Sequence, residues 1–225
     1  MQRVLGTDRD QHRVVSFGLE VFIDNVMIDI ETLGTRPGSV ILSIGAVRFN
    51  PSAGDADPMI GGKTFYRSID VFDSLMHGLT VDPVTCKWWS NQDPASLGAV
   101  CNATHDLKPA LHALSVFINH DDYVWAKGPD FDLVLLEAAY IKVGLKRPWN
   151  YRNTRDVRTI LHIGQLHQVG NVKDMRTLGH HALQDAIHQA KQVNKVYRAL
   201  DIDTTKGPVD WHDVKPFPPF NIPKR

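Results

Sequence analysis

The chain has 225 residues, 43% of them hydrophobic and 22% charged, an ordinary composition for a soluble globular protein with one sizeable core. Its 25 basic and 25 acidic residues balance, so no global field selects nucleic acid, although an acidic site and a basic face would cancel in that sum. Two cysteines, Cys86 and Cys101, with no C-x-x-C pair argue against a disulfide framework or a structural zinc site and suit a reducing, cytoplasmic setting. No apolar run reaches the roughly 18 residues of a membrane span, and the charged start MQRVLGTDRDQHRVV is unlike a signal peptide, so neither membrane insertion nor export is expected.

Residues 1–20 carry no clear periodicity and read as an N-terminal extension, ahead of a domain expected over 21–203 and a proline-rich basic tail over 204–225. The first convincing element is VMIDIETLG, residues 26–34, a strand in which Asp29 and Glu31 share one face and Ile28 and Ile30 the other. Thr35-Arg36-Pro37-Gly38 reads as a turn, Val40 to Phe49 as a long aliphatic strand and Lys63 to Ile69 as a third, which predicts an antiparallel meander. Asp82-Pro83 is a helix-start signal leading into VTCKWWSNQ. Leu107, Leu111, Leu114 and Ile118 form a helical stripe, Tyr123 to Ala126 a short strand, and Phe131 to Val143 a largely apolar helix. Ala182, Ala186, Ala190, Val193, Tyr197 and Leu200 fall on one face of a last helix. The predicted class is α/β, a mixed sheet flanked by helices.

Two ionised carboxylates side by side in a buried strand repel, and persist where one is protonated or a cation lies between them. The plain alternative is a strand end emerging into water, so partners elsewhere decide. Ligand sites in such sheets gather at strand ends and helix starts. Asp29 and Glu31 close the first strand, Asp132 opens the helix after YVWA, and Asp185 sits early in the last helix, within His180-His181-Ala182-Leu183-Gln184-Asp185. These positions can face one crevice.

D-x-E in the first strand, F-D at a helix start about a hundred residues later and H-x-A-x-x-D near the end resemble, in order and spacing, the three motifs of the DEDDh exonucleases. MIDIETLGTRPGSVILSIGAVRF, the WW pair, W-x-K-G-x-D-F-D and RDVRT resemble a phage and bacterial branch of ribonuclease T-like 3′-5′ exonucleases, the Rv2179c-like exoribonucleases, over residues 26–200. The resemblance implies a ribonuclease H-like fold and a metal-dependent 3′-5′ exonuclease that releases nucleoside monophosphates from single-stranded RNA or DNA with a free 3′ end. In that scheme Asp29, Glu31 and Asp185 are direct ligands of Mg²⁺ or Mn²⁺, Asp132 holds a second ion partly through water, and His180 is the general base. Hard oxygen donors suit these ions, and two of them ~4 Å apart activate the attacking water and stabilise the leaving 3′-oxygen. Histidine suits the base because imidazoles titrate near neutrality. Thr32 and Leu33 would meet the terminal nucleotide with backbone amides and an apolar wedge, and a homodimer in which one subunit lends basic residues to the other is also implied.

The second motif departs from the family pattern, with Lys127-Gly128-Pro129-Asp130 where an asparagine often precedes F-D, so Asp130 competes with Asp132. Helix geometry predicts that Asp132 faces inward and that Asp130 caps free N–H groups. Of Trp88 and Trp89, one is expected to anchor the core, and one is a candidate to stack on a terminal base. Lys142, Lys146, Arg147, Arg152, Arg155 and Arg158 form the densest basic stretch, read as a solvated face or a phosphate-tracking groove. Arg155-Asp156 with Arg158-Thr159 is alternatively a structural pair tying a strand end to a helix. His162, His167 and His188 are expected at the surface or as caps. The rival functions are a non-catalytic nucleic-acid-binding or partner-docking module, and a phosphodiesterase for very short oligonucleotides.

Overall fold

Alternating side chains in the first strand decide the layering. β1 (Asn25–Thr32) is the central strand of a five-stranded mixed sheet. β2 (Ile41–Phe49) and β3 (Met59–Ser68) follow it as the expected antiparallel meander. β4 (Tyr123–Ala126) and the short β5 (Thr154–Asp156) pair in parallel on the other side, in the order β3-β2-β1-β4-β5. This is the ribonuclease H-like arrangement. The computed structural model describes residues 25–53, 59–92, 97–98, 102–103, 105–170 and 180–202, so the N-terminal extension and the proline-rich tail lie outside the described residues.

The helices are α1 (Val71–Met76), α2 (Pro83–Trp89), α3 (Leu107–Phe117), α4 (Asp132–Lys142), α5 (Val157–Leu166) and α6 (Ala182–Ala199). α2 starts where Asp82-Pro83 predicts, with the Asp82 carboxylate accepting from Val84 N at 2.8 Å. Three elements were not anticipated. α1 is less than two turns long, and β5 has three residues, too few to display alternation. α5 does bury Val157, Leu161 and Gly164 at helical spacing, but its basic and histidine residues mask the stripe.

Val26, Ile28 and Ile30 pack against Leu111 and Leu114 of α3 and Leu136 and Tyr140 of α4. Met27 points the other way, into a cluster with Phe49, Trp125, Val157 and the small residues Ala186, Ala190 and Val193 of α6. Asp29 and Glu31 continue the Met27 face and are therefore aimed at α6. Gly45 of β2, the register partner of Asp29, makes that approach close: a methyl group there would overlap the backbone of Ala182 and Leu183. The first turn of α6 thus rests directly on the sheet beside Asp29.

Candidate active site

β4 ends at Ala126, and its parallel pairing with β1 stops at Met27, so the C-terminal half of β1 runs on without that neighbour. The space so opened receives α4. Asp132, its first residue, is 4% exposed, and its Oδ1 accepts the N–H of Ile30 at 3.2 Å. From the opposite layer, α6 supplies Asp185. Ligand oxygens of Asp29, Glu31 and Asp185 all lie within 4.8 Å of one another. Asp132 adjoins this trio without being part of it: its charge acts on Glu31, and the charge of Asp29 acts on it.

The electrostatics record the crowding. Burial, then the charges of Asp29, Asp185 and Asp132, pushes the Glu31 carboxyl up to about 9. Burial also raises Asp29 to about 7; a hydrogen bond from Gln189 Nε2 to Asp29 Oδ1 at 2.8 Å opposes this, and Asp185 adds to it. Asp132 is raised well above the usual carboxylate range, first by burial and next by Asp29. Asp185 is raised by burial, against the pull of His180, His188 and Lys127. Four acids whose carboxyls are all raised by desolvation form a site that stabilises added positive charge. The donor set, carboxylate oxygens from three separate elements, suits a hard divalent cation.

His180 stands two residues before the start of α6 and adopts φ 50°, a left-handed conformation uncommon outside glycine. Its ring stands edge-on to Trp88 at 4.7 Å and to Trp89 at 5.9 Å. His181 occupies the N-cap position and stacks on Tyr66 at 4.5 Å, directed away from the tryptophans. The two adjacent histidines therefore belong to different surroundings, and they do not form a metal pair. His188 is half-buried and acts on Asp185, which corrects its reading as a surface or capping residue; one turn of helix places it beside the acid.

Trp88 and Trp89 divide as α2 geometry requires. Trp89 is 4% exposed and donates its Nε1–H to Thr32 O at 2.8 Å, whereas Trp88 is 41% exposed. Glu31, Thr32, Val84, Trp88 and Phe131 contribute to the wall of a cavity of about 400 Å³. Leu33 lies beside it; its N–H donates to Val40 O at 2.9 Å and its side chain packs against the Leu42 and Trp89 cluster.

Asp130 does not cap α4. The cap position falls on Phe131 and no side chain bonds there, while Asp130 is exposed and lines a different cavity. The β4–α4 turn explains the displacement: Gly128 takes φ 102°, and the N–H groups of Phe131 and Asp132 reach back to Gly128 O, so the backbone satisfies its own donors. Asp156 does tie a strand end to a helix. It accepts from Thr159 Oγ1 and from the N–H groups of Arg158, Thr159 and Gly128; these bonds outweigh its burial and hold its carboxyl below the usual range.

Sequence reasoning missed Gln189, Lys127 and Gly45. Gln189 stands four residues after Asp185, the spacing that puts both on one helix face, and Lys127 directly follows β4 at the crevice, so spacing held both signals. Gly45 offers no such signal within β2.

Comparison with known proteins agrees with this geometry. No curated protein matches the sequence. Among solved structures, the nuclease domain of 3′hExo, a DEDDh family member bound to rAMP, superposes with TM-score 0.51 at 12% identity, over 80% of this chain and 94% of that one. E. coli Exonuclease I in complex with a 5cy-dA13 oligonucleotide superposes with TM-score 0.53 at 12% identity, over 77% of this chain; the aligned part is only 40% of the length of Exonuclease I. These likenesses establish the fold. Residues 24–197 match the 3′-5′ exoribonuclease Rv2179c-like domain, and the chain belongs to that family.

Proposed function

We propose that this protein hydrolyses single-stranded RNA, with DNA as a second substrate, from a free 3′ end and releases nucleoside 5′-monophosphates. One observation carries the reading: the carboxylates of buried Glu31 and of half-buried Asp29 and Asp185 converge within 4.8 Å at the edge of a cavity lined by Thr32, Trp88 and Phe131. Such a cluster costs folding free energy and is compensated by cations. Asp29, Glu31 and Asp185 would hold Mg²⁺ or Mn²⁺ through their carboxylate oxygens, and Asp132 would help to hold a second ion. A pair of such ions supplies activation of water and stabilisation of the leaving 3′-oxygen.

The remaining roles belong to the protein. Gln189 fixes Asp29 by its 2.8 Å hydrogen bond, so the carboxylate is oriented before any ligand arrives. His180 takes the proton of the attacking water, held near Asp185 by its aromatic neighbours. Trp88 offers its exposed face to the 3′-terminal base, and Trp89, through Thr32 O, sets the wall on which the terminal nucleotide rests. Leu33 supports that wall from behind. A homodimer remains part of the proposal on family resemblance, with its test in the mass measured by light scattering.

The experiment is hydrolysis of a single-stranded RNA with Mg²⁺ or Mn²⁺. Nucleoside 5′-monophosphates should appear, and should vanish with chelator and in Asp29→Asn. Near wild-type turnover by Asp29→Asn would remove this residue from the site, and binding of RNA without hydrolysis would favour the docking-module alternative.

A further inference from the structure

A second cavity, about 260 Å³, opens on the other side of the segment that carries Phe131 and Asp132. Pro129, Asp130, Arg147, Tyr151 and Thr154 contribute to its wall. Tyr151 is 59% exposed, so it contributes little to the core. Instead two cations lie near it, with Arg147 Cζ 5.9 Å and Arg152 Cζ 5.2 Å from the ring centroid. The ring sits on a 3₁₀ turn, Tyr151–Asn153, fixed by Asn150, whose Oδ1 accepts from Arg152 N at 3.1 Å. The platform is thus held in place.

Two acids share the wall, Glu137, paired with Arg147 at 2.6 Å, and Asp130, whereas Arg152 is exposed and forms no ion pair among the described residues. Toward the acid cluster, the guanidinium of Arg158 packs against Gly128 and its charge reaches Asp132. Arg152 on the 3₁₀ turn and Arg158 in the first turn of α5 thus present exposed guanidinium groups on this side of Asp132. Aromatic rings flanked by cations bind single-stranded nucleic acid without sequence preference, because every base has a face to stack and every nucleotide a phosphate to neutralise.

We propose that Tyr151 and Arg152 form a second nucleotide subsite, which stacks the second or a later base on the 5′ side of the scissile phosphate, a base that a dinucleotide lacks, while Arg152 and Arg158 face the strand's backbone. This rests on the exonuclease reading: the 3′-terminal nucleotide fills the cavity at Thr32, Trp88 and Phe131, and the strand leading to it passes the other side of Asp132. The subsite gives long strands an affinity that very short ones lack.

The test compares a 12-nucleotide RNA with a dinucleotide in wild type, Tyr151→Ala, Tyr151→Phe and Arg152→Ala. Tyr151→Ala should raise KM for the 12-mer roughly tenfold with kcat unchanged and the dinucleotide unaffected, and Tyr151→Phe should behave as wild type. Arg152→Ala should lower the salt slope of 12-mer binding by about one. An unchanged KM for the 12-mer in Tyr151→Ala, or equal losses on both lengths, overturns the subsite. Absence of hydrolysis by wild type refutes the exonuclease reading instead, and fluorescence anisotropy of a labelled 12-mer in chelator then decides the subsite alone: Tyr151→Ala must weaken binding, and unchanged affinity overturns it.

Discussion

Replacing Glu31 by glutamine should stabilise the metal-free protein while abolishing hydrolysis. The carboxyl of Glu31 is raised from 4.5 to about 9 in the folded chain, by burial and then by its acidic neighbours. An unfolded chain releases that proton near the ordinary value, so between the two pH values the folded state holds more protons and stability falls as pH rises. One fully retained proton costs about 1.4 kcal/mol per pH unit, which gives on the order of 3 kcal/mol at pH 7. Glutamine has no ionisation in either state and avoids the loss. For a chain of this size the recovered stability corresponds to a rise in melting temperature of about 5 to 10 °C. Thermal melts from pH 5 to 8.5 in chelator check it: wild type should fall steadily with pH, the variant should fall less, and the two should nearly coincide at pH 5. Saturating Mg²⁺ or Mn²⁺ should reverse the order at pH 8. A flat wild-type profile, or a variant melting at or below wild type at pH 8 without metal, would refute the reasoning.

Asp132→Asn should lower turnover by about two orders of magnitude with a melting temperature in chelator at or above that of wild type, whereas Asp130→Asn, at an exposed position that caps nothing, should change stability by less than ~0.5 kcal/mol and leave the rate intact; the reverse pattern would move the function to Asp130. His180→Ala should lose most of the rate and the rise of activity with pH, while His181→Ala should keep that rise and lose about 1 kcal/mol through its stack on Tyr66. Equal damage to the rate from both would place His180 in packing. Gln189→Leu keeps the volume but removes the donor to Asp29, so half-saturation should need roughly tenfold more metal with the fold retained; unchanged metal dependence would show that Asp29 needs no orientation. Gly45→Ala should displace the first turn of α6, cost ~1–3 kcal/mol and lower activity more than a surface change of equal stability cost, as melts and kinetics measured together would reveal.

The site was more legible than the frame around it, for a physical reason. Asp29 and Glu31 stand out because carboxylates are expensive in an apolar strand, and Asp132 and Asp185 because both sit at helix starts where strand ends open. The meander, α2 and α6 were readable from alternation, capping and a stripe of small residues. Three things were not. Asp130 as a cap followed from proximity alone, and the reverse hydrogen bonds onto Gly128 O, which make a cap unnecessary, depend on a backbone turn that the sequence only hints at through glycine. β5 and α1 are too short for any period to emerge, and tertiary pairing decides them: β5 exists because β4 offers Val124, Trp125 and Ala126 as partners. Gly45 likewise acquires its meaning only from the helix laid across it.

The central claim is that the acid cluster removes nucleotides from the 3′ end. The most direct measurement uses one single-stranded RNA labelled at the 3′ end in one sample and at the 5′ end in another, with Mg²⁺ or Mn²⁺ present. The 3′ label should leave at once as a mononucleotide, while the 5′ label moves down a ladder one nucleotide at a time. Early release of the 5′ label as a mononucleotide, or internal fragments from both samples, would contradict it.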